Sequence, residues 1–170
     1  MQSDPLGRLF MSTSVANTLT FRLLEESDLD AVCDLESRAY EFPWSHAIIG
    51  GCTTVPYRIW LGFQSDQSVH ICQAFLSITL DEAHILNVSV DPRFQGQGFG
   101  GQMLNHLIDD ARAQGARQMF LEVRESNTIA IHMYLNQGFN EVGRRRNYYP
   151  TATRREDALV FGLQLRFDQL

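Results

Sequence analysis

The sequence contains no lysine, little cysteine and no long hydrophobic run. Its three cysteines, Cys33, Cys52 and Cys72, lie too far apart to form a CxxC pair. An odd number without regular spacing argues against a disulfide framework and favours buried, small apolar thiols in a reducing compartment. No apolar stretch approaches the ~18 residues of a membrane helix, and the first residues do not resemble a signal peptide. We therefore expect a cytoplasmic protein that has no membrane partner.

Positive charge is also scarce in this chain. All 14 basic residues are arginines, against 20 acidic residues, which gives a formal net charge of -6. Nucleic-acid binding requires clustered positive charge, so we expect no direct nucleic-acid partner and an attraction to basic partners instead. One basic run, Arg144 to Arg146, precedes Tyr148 and Tyr149. This run is either an RNA-binding patch or, as we favour, a solvated strand end.

The histidines do not form a metal-binding pattern. None of the five pairs with another at helical ligand spacing around a carboxylate. A zinc or two-metal site therefore finds no support, and we expect no metal.

Composition predicts a single folded domain. With 44% hydrophobic and 20% charged residues, the chain is within the ordinary range for one globular domain with one core. Residues 1–18 show no hydrophobic periodicity and predict a flexible tail, so the domain is expected over residues 19–170.

The hydrophobic pattern predicts a mixed α/β (α+β) arrangement. A first strand near Leu19 leads to a helix capped by Ser27, and Ser45 caps a short helix that Gly50 and Gly51 close. After three strand-like segments the pattern alternates between helix and strand, which indicates parallel pairing through a crossover. The remaining predicted segments are strands over 57–63, 69–79, 83–90, 119–123, 139–148 and 158–165, with helices over 98–114 and 128–137.

A glycine-rich turn lies between a predicted strand and a predicted helix. It contains Gly96, Gly98, Gly100 and Gly101. Without Cβ atoms the backbone N–H groups are open to close approach, and the helix adds the positive end of its dipole. A pyrophosphate suits such a turn best. The alternative is a tight turn without a ligand, which we disfavour because four glycines cost considerable chain entropy.

Two known phosphate-binding motifs fit this turn poorly. A Walker A loop requires a lysine after its glycines, and the absence of lysine excludes that class of NTPase. The dinucleotide fingerprint G-x-G-x-x-G matches Gly96, Gly98 and Gly101, with Glu122 about twenty residues further on. It is disfavoured because Gly96 lies six residues after Val90 rather than directly after the strand. The remaining chain also holds only about half of a Rossmann sheet.

A third motif, Q-x-x-G-x-G, matches Gln95, Gly98 and Gly100 and resembles the CoA-pyrophosphate loop of GCN5-related N-acetyltransferases (GNAT). The resemblance extends over roughly residues 19–165, with several separated motifs in the right order. Further matching stretches are Phe42-Pro43-Trp44-Ser45, Asn87-Val88-Ser89-Val90-Asp91-Pro92, Leu121-Glu122-Val123-Arg124-Glu125-Ser126-Asn127 and Arg145-Arg146-Asn147-Tyr148-Tyr149-Pro150. Three of these, all but the Asn87 stretch, resemble the RimI branch of the family, which acetylates the N-terminal alanine of a small-subunit ribosomal protein.

The resemblance implies a GNAT fold, with a mixed central sheet of about six to seven strands and flanking helices, and acetyl-CoA as cosubstrate. In the family, positions that match Val88, Ser89 and Val90 hold the pantetheine arm through backbone groups. Asn127 matches a further CoA contact but could equally be only a helix N-cap. The loop positions that match are Gln95, Gly96, Gln97, Gly98, Phe99, Gly100 and Gly101. Larger or basic residues are frequent where Gly96 and Gly101 stand, so the grip on phosphate is expected to be looser.

The family's general base and general acid match Glu122 and Tyr134. An acceptor amine must be neutral to attack a thioester, and the departing thiolate must be protonated. Glu122 would act directly or through a water, although by pattern alone it is an exposed carboxylate at a strand end. Tyr134 is by periodicity a core tyrosine, but a phenol is a suitable proton donor to a thiolate of similar basicity.

The first functional hypothesis is therefore an enzyme that acetylates the N-terminal alanine of a ribosomal protein. Its net acidity suits a basic substrate segment, and we expect a monomer or a weak dimer. The alternatives are a GNAT enzyme for a small-molecule amine, a non-catalytic CoA-binding module, and a dinucleotide-binding domain. A fold by itself does not decide the acceptor.

Overall fold

The computed structural model describes residues 18–64 and 69–165, which contain seven strands and four α-helices. The predicted flexible tail lies outside these residues except for Thr18, and so do residues 65–68 between the predicted strands over 57–63 and 69–79. The strands are β1 Thr20–Leu23, β2 Arg58–Phe63, β3 His70–Thr79, β4 Glu82–Val90, β5 Gln118–Arg124, β6 Asn140–Pro150 and β7 Arg155–Gln164. The helices are α1 Leu29–Ala39, α2 His46–Cys52, α3 Phe99–Ala113 and α4 Thr128–Asn136.

The strands form one mixed sheet in the order β1-β2-β3-β4-β5-β7-β6. Only β4 and β5 run parallel, and α3 makes the crossover between them. All other neighbours are antiparallel, and β7 is inserted between β5 and β6. The predicted mixed sheet is confirmed, with seven strands.

Helices cover both faces of the sheet. Along β2, Ile59 and Leu61 pack with Val32 of α1 and Ile49 of α2, whereas Trp60 packs with the cluster that contains α3 and α4. Because successive strand residues point to opposite faces, α1 and α2 lie on one side and α3 and α4 on the other. The larger cluster is centred on buried residues of α3 such as Met103, Leu104 and Leu107, in line with the predicted helix face.

The two parallel strands separate halfway along their length. Their pairing ends at Ile85 and Leu121. Beyond this point β4 continues to Val90 and pairs only with β3, while β5 continues to Arg124 and pairs only with β7. The β3–β4 register also shifts here and leaves Leu86 without a partner, as in a β-bulge. A gap lined by backbone groups therefore opens between the C-terminal halves of β4 and β5, and we call it the splay.

Two local predictions need correction. Ser27 does not cap α1, because it lies inside a short 3-10 turn that precedes the helix. In that turn Asp28 accepts a hydrogen bond from the Glu25 N–H at 2.8 Å and pairs with Arg22 at 2.6 Å. Gly50 and Gly51 also fall within α2 rather than ending it. The Ser45 cap is confirmed.

Candidate active site

The glycine-rich turn presents free amides at the start of α3. Gly96 and Gly98 have φ angles of 76° and 84°, in the left-handed region that favours glycine. Gly98 is the N-cap, and the first helical hydrogen bond joins the Gln102 N–H to its carbonyl at 3.1 Å. The three preceding helical amides, including those of Gly100 and Gly101, therefore have no acceptor within the helix. Together with the helix dipole they form a site suited to an anion such as a pyrophosphate.

Gly100 allows α3 to approach its neighbours closely. A Cβ at this position would lie 3.1 Å from Met133 Sδ of α4 and 3.7 Å from Val90 Cγ2 of β4. By contrast, a Cβ at Gly96 or Gly101 would meet nothing within 4 Å. A side chain at Gly100 would thus crowd Met133, whereas the space beside Gly96 and Gly101 is open.

Side-chain contacts hold the turn in place. Gln95 donates to the Val90 carbonyl at 3.1 Å, and Gln97 donates to the Arg93 carbonyl at 3.4 Å. The Phe99 side chain is buried in the core, so this residue can reach a ligand only through its amide. The predicted loop residues therefore lie together beside the end of β4.

Asp91 anchors the start of this turn. Its buried carboxylate accepts a hydrogen bond from the Arg93 N–H at 3.0 Å and pairs with the side chains of Arg93 and Arg38 at 2.8 and 3.1 Å. These hydrogen bonds, those from Arg93 first, hold the pKa of Asp91 well below its usual range, although burial opposes them. The chain is thereby fixed where it leaves β4.

The half of β4 that has no β5 partner lies between the core and α1. Val88 and Val90 pack against the α3–α4 cluster, whereas Ser89 is buried and donates to Glu36 at 2.7 Å. The Ser89 side chain is therefore committed within the protein, and a ligand would meet this strand through its backbone. Tyr40, which the sequence did not single out, donates from its hydroxyl to the Val88 carbonyl.

Glu122 lies on the other side of the splay and forms an ion pair. Its side chain is 25% exposed, and Oε1 is 2.7 Å from Nε of Arg145. Tyr149 makes a weak hydrogen bond of 3.4 Å to the Glu122 carbonyl. The carboxylate is therefore neither fully solvated nor unpaired, unlike the exposed strand-end acid that the sequence pattern by itself suggests.

A three-residue bulge in β6 brings Tyr148 and Tyr149 close to Glu122. Arg145 pairs with Ala158 and Tyr149 pairs with Glu156, so three residues of β6 face the single residue between these partners. Asn147 has a φ of 50° within the bulge. The basic run is part of this strand. The side chain of Arg145 forms an ion pair with Glu122, and that of its neighbour Arg144 forms ion pairs with Glu125 and Asp157.

Tyr134 is buried in the larger core cluster. It is 7% exposed on α4, with its ring 5.8 Å from that of Phe139 and 6.3 Å from that of Phe161. Burial, with a smaller contribution from nearby Tyr149, raises the pKa of Tyr134 to about 12. Burial and then Glu122 raise the pKa of Tyr149 to about 12 as well. Both phenols are therefore protonated near neutral pH.

Asn127 acts as a helix cap. Its side chain accepts a hydrogen bond from the Ala130 N–H at 3.2 Å at the start of α4. The predicted cap is confirmed, and a contact between Asn127 and a ligand stays a prediction.

Two negative findings apply to the described ranges. Within residues 18–64 and 69–165, no group of three or more His, Cys, Asp or Glu side chains is arranged to hold a metal ion. Among the helices of the same ranges, none has the length and apolar character needed to cross a membrane.

Comparisons with known proteins give consistent matches. The sequence profile of the Acetyltransferase (GNAT) family matches residues 23–139. The chain is 42% identical over 147 residues to the [ribosomal protein bS18]-alanine N-acetyltransferase of Escherichia coli, which covers 86% of this chain and 97% of that protein.

Solved structures of acetyltransferases match the fold of this chain. The crystal structure of the ribosomal-protein-S18-alanine N-acetyltransferase from Escherichia coli superimposes with a TM-score of 0.82 at 39% identity, over 89% of this chain and 97% of that one. A Salmonella typhimurium protein with its cofactor acetyl-CoA has the same fold, with a TM-score of 0.72 at 20% identity over 90% of this chain and 97% of that one.

Proposed function

The chain belongs to the acetyltransferase (GNAT) family, and on that premise we propose that it acetylates the N-terminal alanine of ribosomal protein bS18. The observation that carries this proposal is the splay, with free helix amides at one end and Glu122 at its edge. A relative at 42% identity that spans nearly the whole domain supports the choice of acceptor.

Acetyl-CoA fits the site as acyl donor. The amides of Phe99, Gly100 and Gly101 would hold its pyrophosphate, and the open space beside Gly96 and Gly101 leaves them accessible. The backbone of Val88 to Val90 lacks a β5 partner and would pair with the amide groups of the pantetheine arm. When bound, the thioester supplies the acyl group that is transferred.

Glu122 would act as general base for the acceptor amine. An α-ammonium group is attracted to the carboxylate and must give up a proton before its nitrogen can form a bond to the acyl carbon. Glu122 would take this proton directly or through a water. Because Arg145 contacts Oε1, the amine must approach the other oxygen or displace the guanidinium.

Tyr134 would act as general acid. As the carbon–sulfur bond breaks, the electron pair stays on sulfur, and the hydroxyl proton of Tyr134 passes to it. A phenol whose pKa is raised to about 12 remains protonated at neutral pH and is available for this transfer. The nitrogen loses its second proton as the amide forms, and this proton would restore the Tyr134 hydroxyl directly or through water, while Glu122 would return its proton to solvent. The products are an N-acetylated chain, free CoA thiol and one proton, so protons and charge balance.

The acceptor is proposed to be a basic peptide segment. A formal net charge of -6 attracts such a segment over long range. A cytoplasmic location follows from this choice of substrate, and the monomeric or weakly dimeric state stays a prediction.

A direct assay tests the function. The protein is incubated with acetyl-CoA and a basic peptide that begins with alanine, and thiol release and peptide mass are followed. We expect both CoA thiol and a singly acetylated peptide, whereas the same peptide with a blocked N-terminus gives neither. Reaction of polyamines but not of the peptide would favour a small-molecule acceptor. Acetyl-CoA binding without turnover on any amine would favour a non-catalytic module. Binding of NAD but not of CoA would favour a dinucleotide-binding domain.

A further inference from the structure

A buried carboxylate on α1 lies against β4, on the face of the strand opposite to the α3–α4 cluster. Glu36 is 1% exposed. Its Oε1 accepts hydrogen bonds from the Asn87 side chain at 2.8 Å and from the Trp44 N–H at 3.3 Å, and its Oε2 accepts from the Ser89 hydroxyl at 2.7 Å. All three donors are neutral groups. Burying a carboxylate without a cation is costly, so a well-packed apolar side chain would serve the stability of this core at least as well.

The donors to Glu36 identify which part of the fold it holds. Asn87 and Ser89 both belong to the half of β4 that lies beyond the last pair with β5. Their side chains also lie in contact, since the Ser89 hydroxyl is 3.1 Å from Asn87 Oδ1. Tyr40 adds a contact at 3.2 Å to the same Asn87 oxygen and a second contact to the Val88 carbonyl.

This network replaces the support that a neighbouring strand normally gives. In a regular sheet, hydrogen bonds from both sides keep a strand extended. Here β3 bonds to one edge of β4, and the other edge faces the splay. The bulge at Leu86 further loosens the strand at this point. Contacts from Glu36 of α1 to Asn87 and Ser89, and from Tyr40 just after α1 to Val88, therefore hold a segment that would otherwise be free to twist.

We propose that Glu36 is a positioning residue that keeps the free edge of β4 extended so that it can pair with the acyl arm of acetyl-CoA. The inference rests on the proposed function, because it assumes that acetyl-CoA binds along β4. Glu36 itself is buried behind the strand and acts through Asn87 and Ser89. Its role is thus distinct from those of Glu122 and Tyr134.

Three variants separate positioning from simple packing. Glu36→Gln can keep every hydrogen bond, because its Oε1 accepts from Asn87 and Trp44 while its Nε2 donates to the Ser89 oxygen. The Ser89 proton is then free for Asn87 Oδ1, which it already approaches. Glu36→Leu fills the space but removes all three bonds. Asp34→Asn is the matched control, because it neutralises an exposed carboxylate on the same helix.

Calorimetry gives the dissociation constant for acetyl-CoA, steady-state kinetics give kcat and the KM for each substrate, and thermal unfolding gives stability. Glu36→Leu is expected to weaken acetyl-CoA binding by about tenfold and to lower kcat, with little change in the KM for the peptide. Glu36→Gln is expected to stay within about threefold of wild type. The control is expected to match wild type in every measurement.

Several results would overturn the inference. One such result is that Glu36→Leu binds acetyl-CoA as tightly as wild type does. Another is that Glu36→Gln is impaired as much as Glu36→Leu. If Glu36→Leu does not fold, Ser89→Ala tests the proposal instead. It removes the hydrogen bond between Ser89 and Glu36 and should weaken acetyl-CoA binding several-fold. Unchanged acetyl-CoA binding in Ser89→Ala would reject the proposal. Wild-type protein that fails to bind acetyl-CoA would instead reject the proposed function.

Discussion

At the scale of single residues, the two proposed catalytic side chains have very different surroundings. Glu122 is partly exposed and paired with Arg145, whereas Tyr134 is enclosed by Phe139 and Phe161. A base that receives protons from an incoming substrate needs access to solvent, and an acid that donates within the site is better shielded from it. This contrast fits the roles proposed for the two residues.

Replacing the proposed base should slow turnover strongly without loss of cosubstrate binding. Glu122→Gln keeps the size of the side chain but cannot accept the amine proton, so kcat is expected to fall by about 10²-fold or more. The affinity for acetyl-CoA, measured by calorimetry, should stay near that of wild type. Glu125→Gln is the control, because Glu125 is a nearby exposed carboxylate that pairs with Arg144. Equal turnover of Glu122→Gln and wild type would exclude Glu122 as the base.

Replacing the proposed acid should also act on kcat. Tyr134→Phe keeps the buried ring but removes the proton donor, and we expect kcat to fall by about 10²-fold. Tyr57→Phe, at an exposed tyrosine, serves as control and should keep wild-type kcat. A variant Tyr134→Phe with unaltered kcat would remove this residue from the mechanism.

The pH profile of kcat gives a second measurement on Tyr134. Its pKa is raised to about 12, so the proton that it donates is lost only as the pH rises through that value. Between pH 7 and about 10, the ordinary pKa of a tyrosine, no decline in kcat should arise from this group. A falling limb below pH 10 that Tyr134→Phe removes would contradict the shift.

At the scale of secondary-structure elements, the start of α3 is the part that depends most on glycine. The positive φ angle of Gly98 orients the free amides of the first helical turn. Gly100 lets this turn pack against Val90 and Met133. Glycine patterns in the sequence predicted an anion site at this turn. They did not reveal that one of the four glycines packs closely against another helix, because that depends on which helix lies across the turn.

A pair of glycine variants separates backbone strain from binding. Gly98 and Gly115 have similar positive φ angles, and a Cβ added at either position would meet no atom within 4 Å. Alanine at either position should therefore destabilise the protein by about 1–2 kcal/mol, as measured by urea unfolding. Only Gly98→Ala should weaken acetyl-CoA binding, because Gly115 lies at the other end of α3. Equal affinities for acetyl-CoA in the two variants would argue against the amides as its binding site.

At the scale of the whole molecule, paired carboxylates make stability dependent on pH. Hydrogen bonds from Arg22 lower the pKa of Asp28, and those from Arg93 lower the pKa of Asp91. A carboxyl group whose pKa is lower in the folded protein contributes stability that is fully present above its unfolded value of about 3.9. That contribution is lost as the pH falls through the folded value.

Acid should therefore destabilise the wild-type protein, and Asp91 should account for part of the loss. We expect the free energy of urea unfolding to change little between pH 7 and 5 and to fall steadily below about pH 4. Asp91→Asn should be less stable than wild type by about 2 kcal/mol at pH 7 and should lose less on acidification. Equal losses in the two proteins would show that Asp91 does not contribute.

How much the sequence could predict differs between the fold and the site. Alternating apolar residues, Ser45 as a cap and glycines at helix ends predicted most elements to within a few residues, because these signals act over one or two turns of chain. The 3-10 turn before α1 was missed, since it depends on the Arg22–Asp28 ion pair formed with a neighbouring strand. The resemblance of separated motifs predicted the family, which the comparisons confirm.

The sequence by itself determined the composition of the site: a glycine turn for an anion, a strand-end carboxylate and a tyrosine on the following helix. Only the tertiary structure decided how these groups are held. The insertion of β7 between β5 and β6 allows Arg145 to reach across to Glu122. The separation of β4 from β5 leaves a strand edge that Glu36 supports through side chains about fifty residues away. Such contacts join distant segments, so they depend on strand order and packing, which no local pattern in the chain encodes.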